Sequence, residues 1–198
     1  MPEQLRPLVQ PNTYYHVFNR GVNRRTIFRE NADYQRFLSL LDKYMKPVGH
    51  VLSYALLPDH YHLSVLMKPA ETIPSDLLKS PKTLGNTFGH LQNAYARYHN
   101  TKYQTVSGLF ERPYERKQID TLEYFRNLVV YHHRNPELHG WVNDYRSYAW
   151  SSYQELSHPE VTGHVNTRLT LSKFGKTDAF FAAHQEHTPM AMQNFEFE

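Results

Sequence analysis

Apolar positions along the chain recur with two different periods, and the switches between them mark the elements. Thr13 to Arg20 is β-branched and aromatic and stops at Gly21, which reads as a strand followed by a turn. Tyr34, Phe37, Leu38, Leu41, Tyr44 and Met45 fall at helical spacing within Asp33 to Met45, closed by Pro47 and Gly49. Val51 to Leu57 and His60 to Met67 are apolar runs joined by Pro58-Asp59, the chemistry of a short hairpin turn. Leu84, Phe88, Leu91, Tyr95 and Tyr98 return to helical spacing after a helix-start signal at Ser80-Pro81. Leu109 to Ile119 reads as extended, with Pro113 marking an edge or bulged strand. Thr121 to Asn135 predicts a third helix ended by Pro136, Trp150 to Leu156 a short fourth one, and Thr177 to His187 an amphipathic piece whose Phe180 and Phe181 pack back on the body.

Strand, helix, hairpin, helix, strand is the order of a ferredoxin-like or RRM-like α/β sandwich, an antiparallel sheet with helices packed on one face, here with a C-terminal helical extension. A third helix then has to dock somewhere. Counting from Leu122 at 100° per residue, Phe125, Leu128 and Val129 fall at about 300°, 240° and 340°, while Tyr124, Tyr131 and Asn135 fall at about 200°, 180° and 220°. The apolar stripe is thus bordered by a seam of two tyrosines and an amide, and Tyr131 and Asn135, four residues apart, can address one small object. The expected division is one main domain over 1–157 and a tail over 158–198.

Within the hairpin, His60 and His62 sit one residue apart on a strand, so they share a face about 6.6 Å apart at the backbone, within reach of one divalent ion. The same pair also suits a half-solvated strand face. The chain has no cysteine, so a metal would take His, carboxylate, amide or water, which favours Mg²⁺ or Mn²⁺ over zinc. His16 reads as a sheet-packing residue, and His132 and His133 point away from Tyr131 by about 100° and 200°.

The formal net charge of +3 is unevenly spread. Arg20, Arg24, Arg25 and Arg29 cluster after the first strand, and Arg112, Arg116 and Lys117 recur around the fourth. Interleaved with 14% aromatic residues, these suit a polyanion that stacks, meaning single-stranded nucleic acid. Trp150 and Tyr153 add stacking surfaces. No apolar run nears the roughly 18 residues a bilayer requires, and Met1 to Asn12 lacks a signal-peptide layout, so the expectation is a cytoplasmic protein with no membrane partner.

Several stretches together resemble the Y1 tyrosine transposases of the IS200-like group, within the HUH endonucleases, and more closely their REP-associated branch. They are Tyr15-His16-Val17 with Arg20-Gly21, Ala55 to His62, Gly108 to Arg112, Tyr114 to Lys117, Tyr131 with Asn135-Pro136, and Trp150 to Tyr153. The resemblance implies that His60 and His62 bind one Mg²⁺ or Mn²⁺ ion, that Asn135 completes the site, and that Tyr131 is the nucleophile. It implies cleavage of single-stranded DNA beside a hairpin, joining Tyr131 to the 5′ phosphate and freeing a 3′ hydroxyl; the sequence leaves open whether the partners include a second copy of the chain as a homodimer. Two departures stand out. The run Tyr131-His132-His133-Arg134-Asn135 is more polar than is usual there, and Tyr61 holds a position more often aliphatic. From other classes, the same pattern admits an RRM-like single-strand binding module without catalysis, or a metal-dependent nuclease in which water attacks.

Overall fold

The aromatic run Tyr14–Arg20 forms strand β1, and its alternate residues face two different layers. The computed structural model describes residues 8–80, 82–106, 108–111 and 113–186. Strands β2 (Gly49–Leu57), β3 (His60–Met67) and β4 (Glu115–Gln118) join β1 in one antiparallel sheet of order β2-β3-β1-β4. Helix α1 (Asn31–Met45) lies between β1 and β2 in sequence, α2 (Thr83–Tyr103) between β3 and β4, and α3 (Leu122–Leu138) follows β4. Shorter helices α4 (Tyr153–Ser157), α5 (Thr167–Ser172) and α6 (Thr177–Glu186) complete the described chain. Pro81 lies outside the described residues, as does the tail beyond residue 186.

Period-two alternation divides the sheet between its covers. Tyr61 of β3 faces α1 and α2, with its ring 5.0 Å from that of Phe37, which in turn lies 5.3 Å from Tyr95. His16, Phe18 and Arg20 lie opposite Ser64, His62 and His60, and this set faces α3, whose Tyr131 and His132 rings lie 5.4 Å from His62 and 5.3 Å from His16. The third helix, unplaced by the strand and helix order, therefore takes the face opposite the first two.

A bulge at Leu52 places a serine on the α3 face of β2. Val51 opposes Val65, but Ser53 opposes Ser64, so the extra residue shifts the alternation and turns Ser53 towards α3. There Ser53 Oγ lies 2.6 Å from Ser64 Oγ and 2.8 Å from His132 Nδ1. The Leu52 carbonyl is taken up by the Thr170 hydroxyl of α5 at 2.8 Å.

Helix α3 starts at an N-cap, where Thr121 Oγ1 accepts from the Tyr124 amide at 3.0 Å. Its end corrects the expectation from Pro136. That proline sits inside the last turn and the helix runs on to Leu138. The missing N–H removes a single i to i−4 bond so close to the terminus, and the His139 amide resumes the pattern by donating to the Asn135 carbonyl at 3.0 Å. The fourth strand is shorter than the expected Leu109 to Ile119. Phe110 makes only an isolated bridge to Gly21, and regular pairing starts at Glu115, on the sheet edge that Pro113 suggested.

On its other side α3 holds the C-terminal helices through a buried relay. His184 Nδ1 donates to the Phe180 carbonyl at 2.7 Å, which leaves its Nε2 to accept from His133 Nδ1 at 2.8 Å, and His133 Nε2 then accepts from Ser152 Oγ at 2.9 Å. All three side chains are buried, and Phe180 and Tyr153 pack around them.

Candidate active site

The hairpin and α3 meet at His60. Asp59, in the turn, accepts from His60 Nδ1 at 2.7 Å, which fixes the tautomer and leaves a lone pair on Nε2. That contact holds the Asp59 carboxyl below its usual range. His60 Nε2 lies 3.2 Å from Asn135 Oδ1. Two acceptor atoms that face each other at this distance are poorly arranged on their own. They match two adjacent ligands of an octahedral ion with bonds of 2.0–2.1 Å, which sit about 3 Å apart. Turning the amide over would supply a donor instead, and would leave its oxygen as the buried atom without a partner in place of Nδ2.

Tyr131 packs edge-on to His62, ring centroids 5.4 Å apart at 85°, and is 1% exposed. With His60 it lines a cleft of about 200 Å³ whose other walls are Arg20, Arg24, Asp59, His139 and Trp141. Two guanidiniums, two imidazoles, a phenol and a carboxylate thus converge on one small volume. Arg20 is held by Glu111, with Nε 3.0 Å from Oε1.

Behind His62 lies a second group of imidazoles. His16 Nε2 is 2.9 Å from His62 Nδ1, and donor atoms of His16, His62 and His132 all lie within 4.8 Å of one another, so the three can hold one metal ion. All three are fully buried. Burial pushes each pKa down, His132 to about 3, and neighbouring imidazoles push His16 and His62 further. The rings are therefore neutral at physiological pH and ready as ligands.

Among solved structures, the chain matches a REP-associated tyrosine transposase bound to a REP hairpin, with a TM-score of 0.62 over 83% of this chain and 90% of that one, at 15% identity. The chain has this transposase fold. No family model matches it, and no curated protein matches its sequence.

On the transposase fold, the residues expected at the site separate into groups. His60, His62, Tyr131 and Asn135 come together, and Arg20 and Arg24 join them at the cleft. Arg25 and Arg29 turn elsewhere. Arg25 Nη1 reaches the Gly108 carbonyl at 3.4 Å, and the Arg29 guanidinium lies 4.2 Å over the Tyr103 ring. Arg116 and Lys117 lie on the edge strand β4, and Arg112 lies outside the described residues. Trp150 is half-buried with one face stacked on Tyr34, centroids 4.5 Å apart at 10°. Tyr153 corrects the expectation of a stacking surface. It is 8% exposed and packed against His133, Tyr145 and Phe180, which leaves no face for a base.

Three residues of the site were not anticipated. His139 continues the Tyr131–Asn135 seam by one more turn, at about 260° on the same wheel, beyond the helix end that Pro136 predicts. Trp141, 52% exposed, follows it. His132 was expected to point away from the site. His62 lies between adjacent positions of α3, its ring 5.4 Å from that of Tyr131 and 5.7 Å from that of His132. Among the described residues, no helix is long and apolar enough to cross a membrane.

Proposed function

We propose that the protein cuts and rejoins single-stranded DNA beside a hairpin through a covalent link to Tyr131. The observation that carries this reading is the cleft in which Tyr131 and His60 meet two arginines. The fold match to a hairpin-bound transposase supports the same chemistry. His60, His62 and Asn135 would hold one Mg²⁺ or Mn²⁺, which when bound supplies charge to polarise a phosphate oxygen. Arg20 and Arg24 would grip the phosphate and orient its phosphorus towards the Tyr131 hydroxyl. The Tyr131 Oη–P bond forms as the P–O3′ bond breaks, the phenol gives up its proton, and the departing 3′ oxygen takes one from solvent. Because the phosphotyrosine is itself a phosphodiester, the 3′ hydroxyl of another strand can reverse the step, which hydrolysis would not allow.

A bare RRM-like binding module is disfavoured by the covered sheet. Such modules stack bases on exposed sheet aromatics, whereas Tyr15, Phe18 and Tyr61 here are buried on one face or the other. The deciding experiment is incubation with Mn²⁺ and a labelled single strand that carries a hairpin, followed by a denaturing gel. A covalently shifted band is expected from the wild type and from Tyr124→Phe, and none from Tyr131→Phe. Cleavage without a shifted band would assign the attack to water, and neither product would leave a binding module.

A further inference from the structure

The His16, His62 and His132 group sits behind the cleft rather than in it, since none of the three lines the cavity where Tyr131 and His60 meet. The group is built for something. His132 is oriented by Ser53, whose Oγ lies 2.8 Å from its Nδ1, and Ser53 is placed there by the bulge at Leu52. Among the described residues, His132 Nε2 is a buried polar atom with no hydrogen-bond partner, on the ring edge opposite the one that Ser53 orients. Buried polar atoms are satisfied in the great majority of cases, and an ion is a partner that would satisfy this one. Here the ligand chemistry is readable, because three neutral imidazoles and no carboxylate suit a borderline ion better than a hard one.

We propose that His16, His62 and His132 form a second cation site, which takes a nitrogen-preferring ion such as Zn²⁺ or Co²⁺ and excludes the ion held by His60, His62 and Asn135. The exclusion follows from the chemistry of imidazole. A neutral ring has one lone pair and one N–H. An ion in the second site would use His62 Nδ1, the nitrogen 2.9 Å from His16 Nε2, and the proton would then occupy His62 Nε2. His62 can therefore serve one ion at a time. Bonds of 2.0–2.1 Å at tetrahedral angles set ligand nitrogens about 3.3 Å apart, so donor atoms up to 4.8 Å apart must close by roughly 1.5 Å at most. The consequence is a switch: occupancy of the second site removes a ligand from the cleft and turns the cleft off.

The site itself can be tested without any DNA. Co²⁺ is titrated into the chelator-stripped full chain and its visible absorption recorded after equilibration. One equivalent should give the intense bands of low-coordinate, nitrogen-ligated Co²⁺. His60→Ala should keep them and His132→Leu should lose them. Ser53→Ala keeps every ligand but frees the His132 ring, and should weaken Co²⁺ binding by about 10- to 100-fold. It also guards against a His132→Leu variant that fails to fold. Bands that are absent in the wild type, survive His132→Leu or vanish in His60→Ala overturn the proposal. The switch rests on the function proposed above. Zn²⁺ should suppress Mn²⁺-dependent adduct formation in the wild type, at a concentration at least tenfold lower than in His132→Leu, and equal suppression overturns the switch. A wild type that forms no adduct with any ion refutes the DNA chemistry and leaves the Co²⁺ result to decide the site.

Discussion

Acid should unfold this protein over a range in which most folded chains are indifferent, and the size of the effect can be worked from four side chains. His16, His62, His132 and His133 are fully buried, and burial pushes all four pKa values down, that of His132 to about 3. In the unfolded chain each returns to about 6.5. A base with a depressed folded pKa binds protons only when the chain unfolds, so stability is full above about pH 6.5 and falls as the pH drops below it. Between pH 7.5 and 5.5 each histidine then contributes a loss of a little over 1 kcal/mol, and the four together about 5 kcal/mol. That is comparable with the whole stability of a marginal domain. His50 and His99 are shifted the same way and add to it. Asp33 is raised by burial but lowered on balance by hydrogen bonds from Lys102 and Tyr103, and its contribution is lost only at lower pH, outside this window. The assay is urea unfolding at the two pH values with chelator present, read by circular dichroism. His132→Leu should reduce the difference by about a quarter. A loss under about 1 kcal/mol would mean that the imidazoles stay charged or hydrated in the folded state, and the burial argument would fail.

Three further outcomes are expected. His60→Ala and His62→Ala should each abolish Mn²⁺-dependent cleavage, and Asn135→Ala should weaken Mn²⁺ binding less than either, as isothermal titration will measure; full cleavage by the double histidine variant in excess chelator would remove the metal from the mechanism. Arg24→Ala should lower the slope of log affinity against log salt by roughly 0.7 on a single-stranded substrate, whereas Arg29→Ala, whose guanidinium is engaged by Tyr103, should leave the slope unchanged. His184→Leu, close to histidine in volume, strips the acceptor from His133 Nδ1 and should destabilise the fold by about 1–3 kcal/mol in denaturant titration.

What could be read from sequence was whatever depended on a single period. His60 and His62 share a strand face because strands alternate, and Tyr131 and Asn135 share a helix seam because helices repeat near four; both hold in three dimensions. The misreadings arise where a local rule meets a tertiary one. Pro136 reads as a stop, yet one bond lost in a last turn is a small penalty and the helix carries on to His139. Angular separation on α3 seemed to exclude His132, yet a partner ring lying between two positions is reached from both. The bulge at Leu52 has no signature in a run of apolar residues, and without it Ser53 could not be assigned a face. Tyr153 and Trp150 looked alike as aromatic surface, but only contacts from α6 and α1 reveal that one is wrapped and the other half covered.

The relay from Ser152 through His133 to His184 also has a consequence for the order in which the molecule is made. Its middle member lies on α3, two residues after Tyr131, while its last member is synthesised 51 residues after His133. During synthesis, sheet and α3 can assemble early from the hairpin and β1, but the back of α3 stays uncovered, and His133 lacks its His184 partner, until α6 arrives. The contact cannot form until residue 184 has been made, whereas every residue lining the cleft precedes it, Trp141 being the last of them. A chain still on the ribosome would thus present a finished cleft on a helix not yet locked in place, and maturation of the site would be timed by a segment that never touches it.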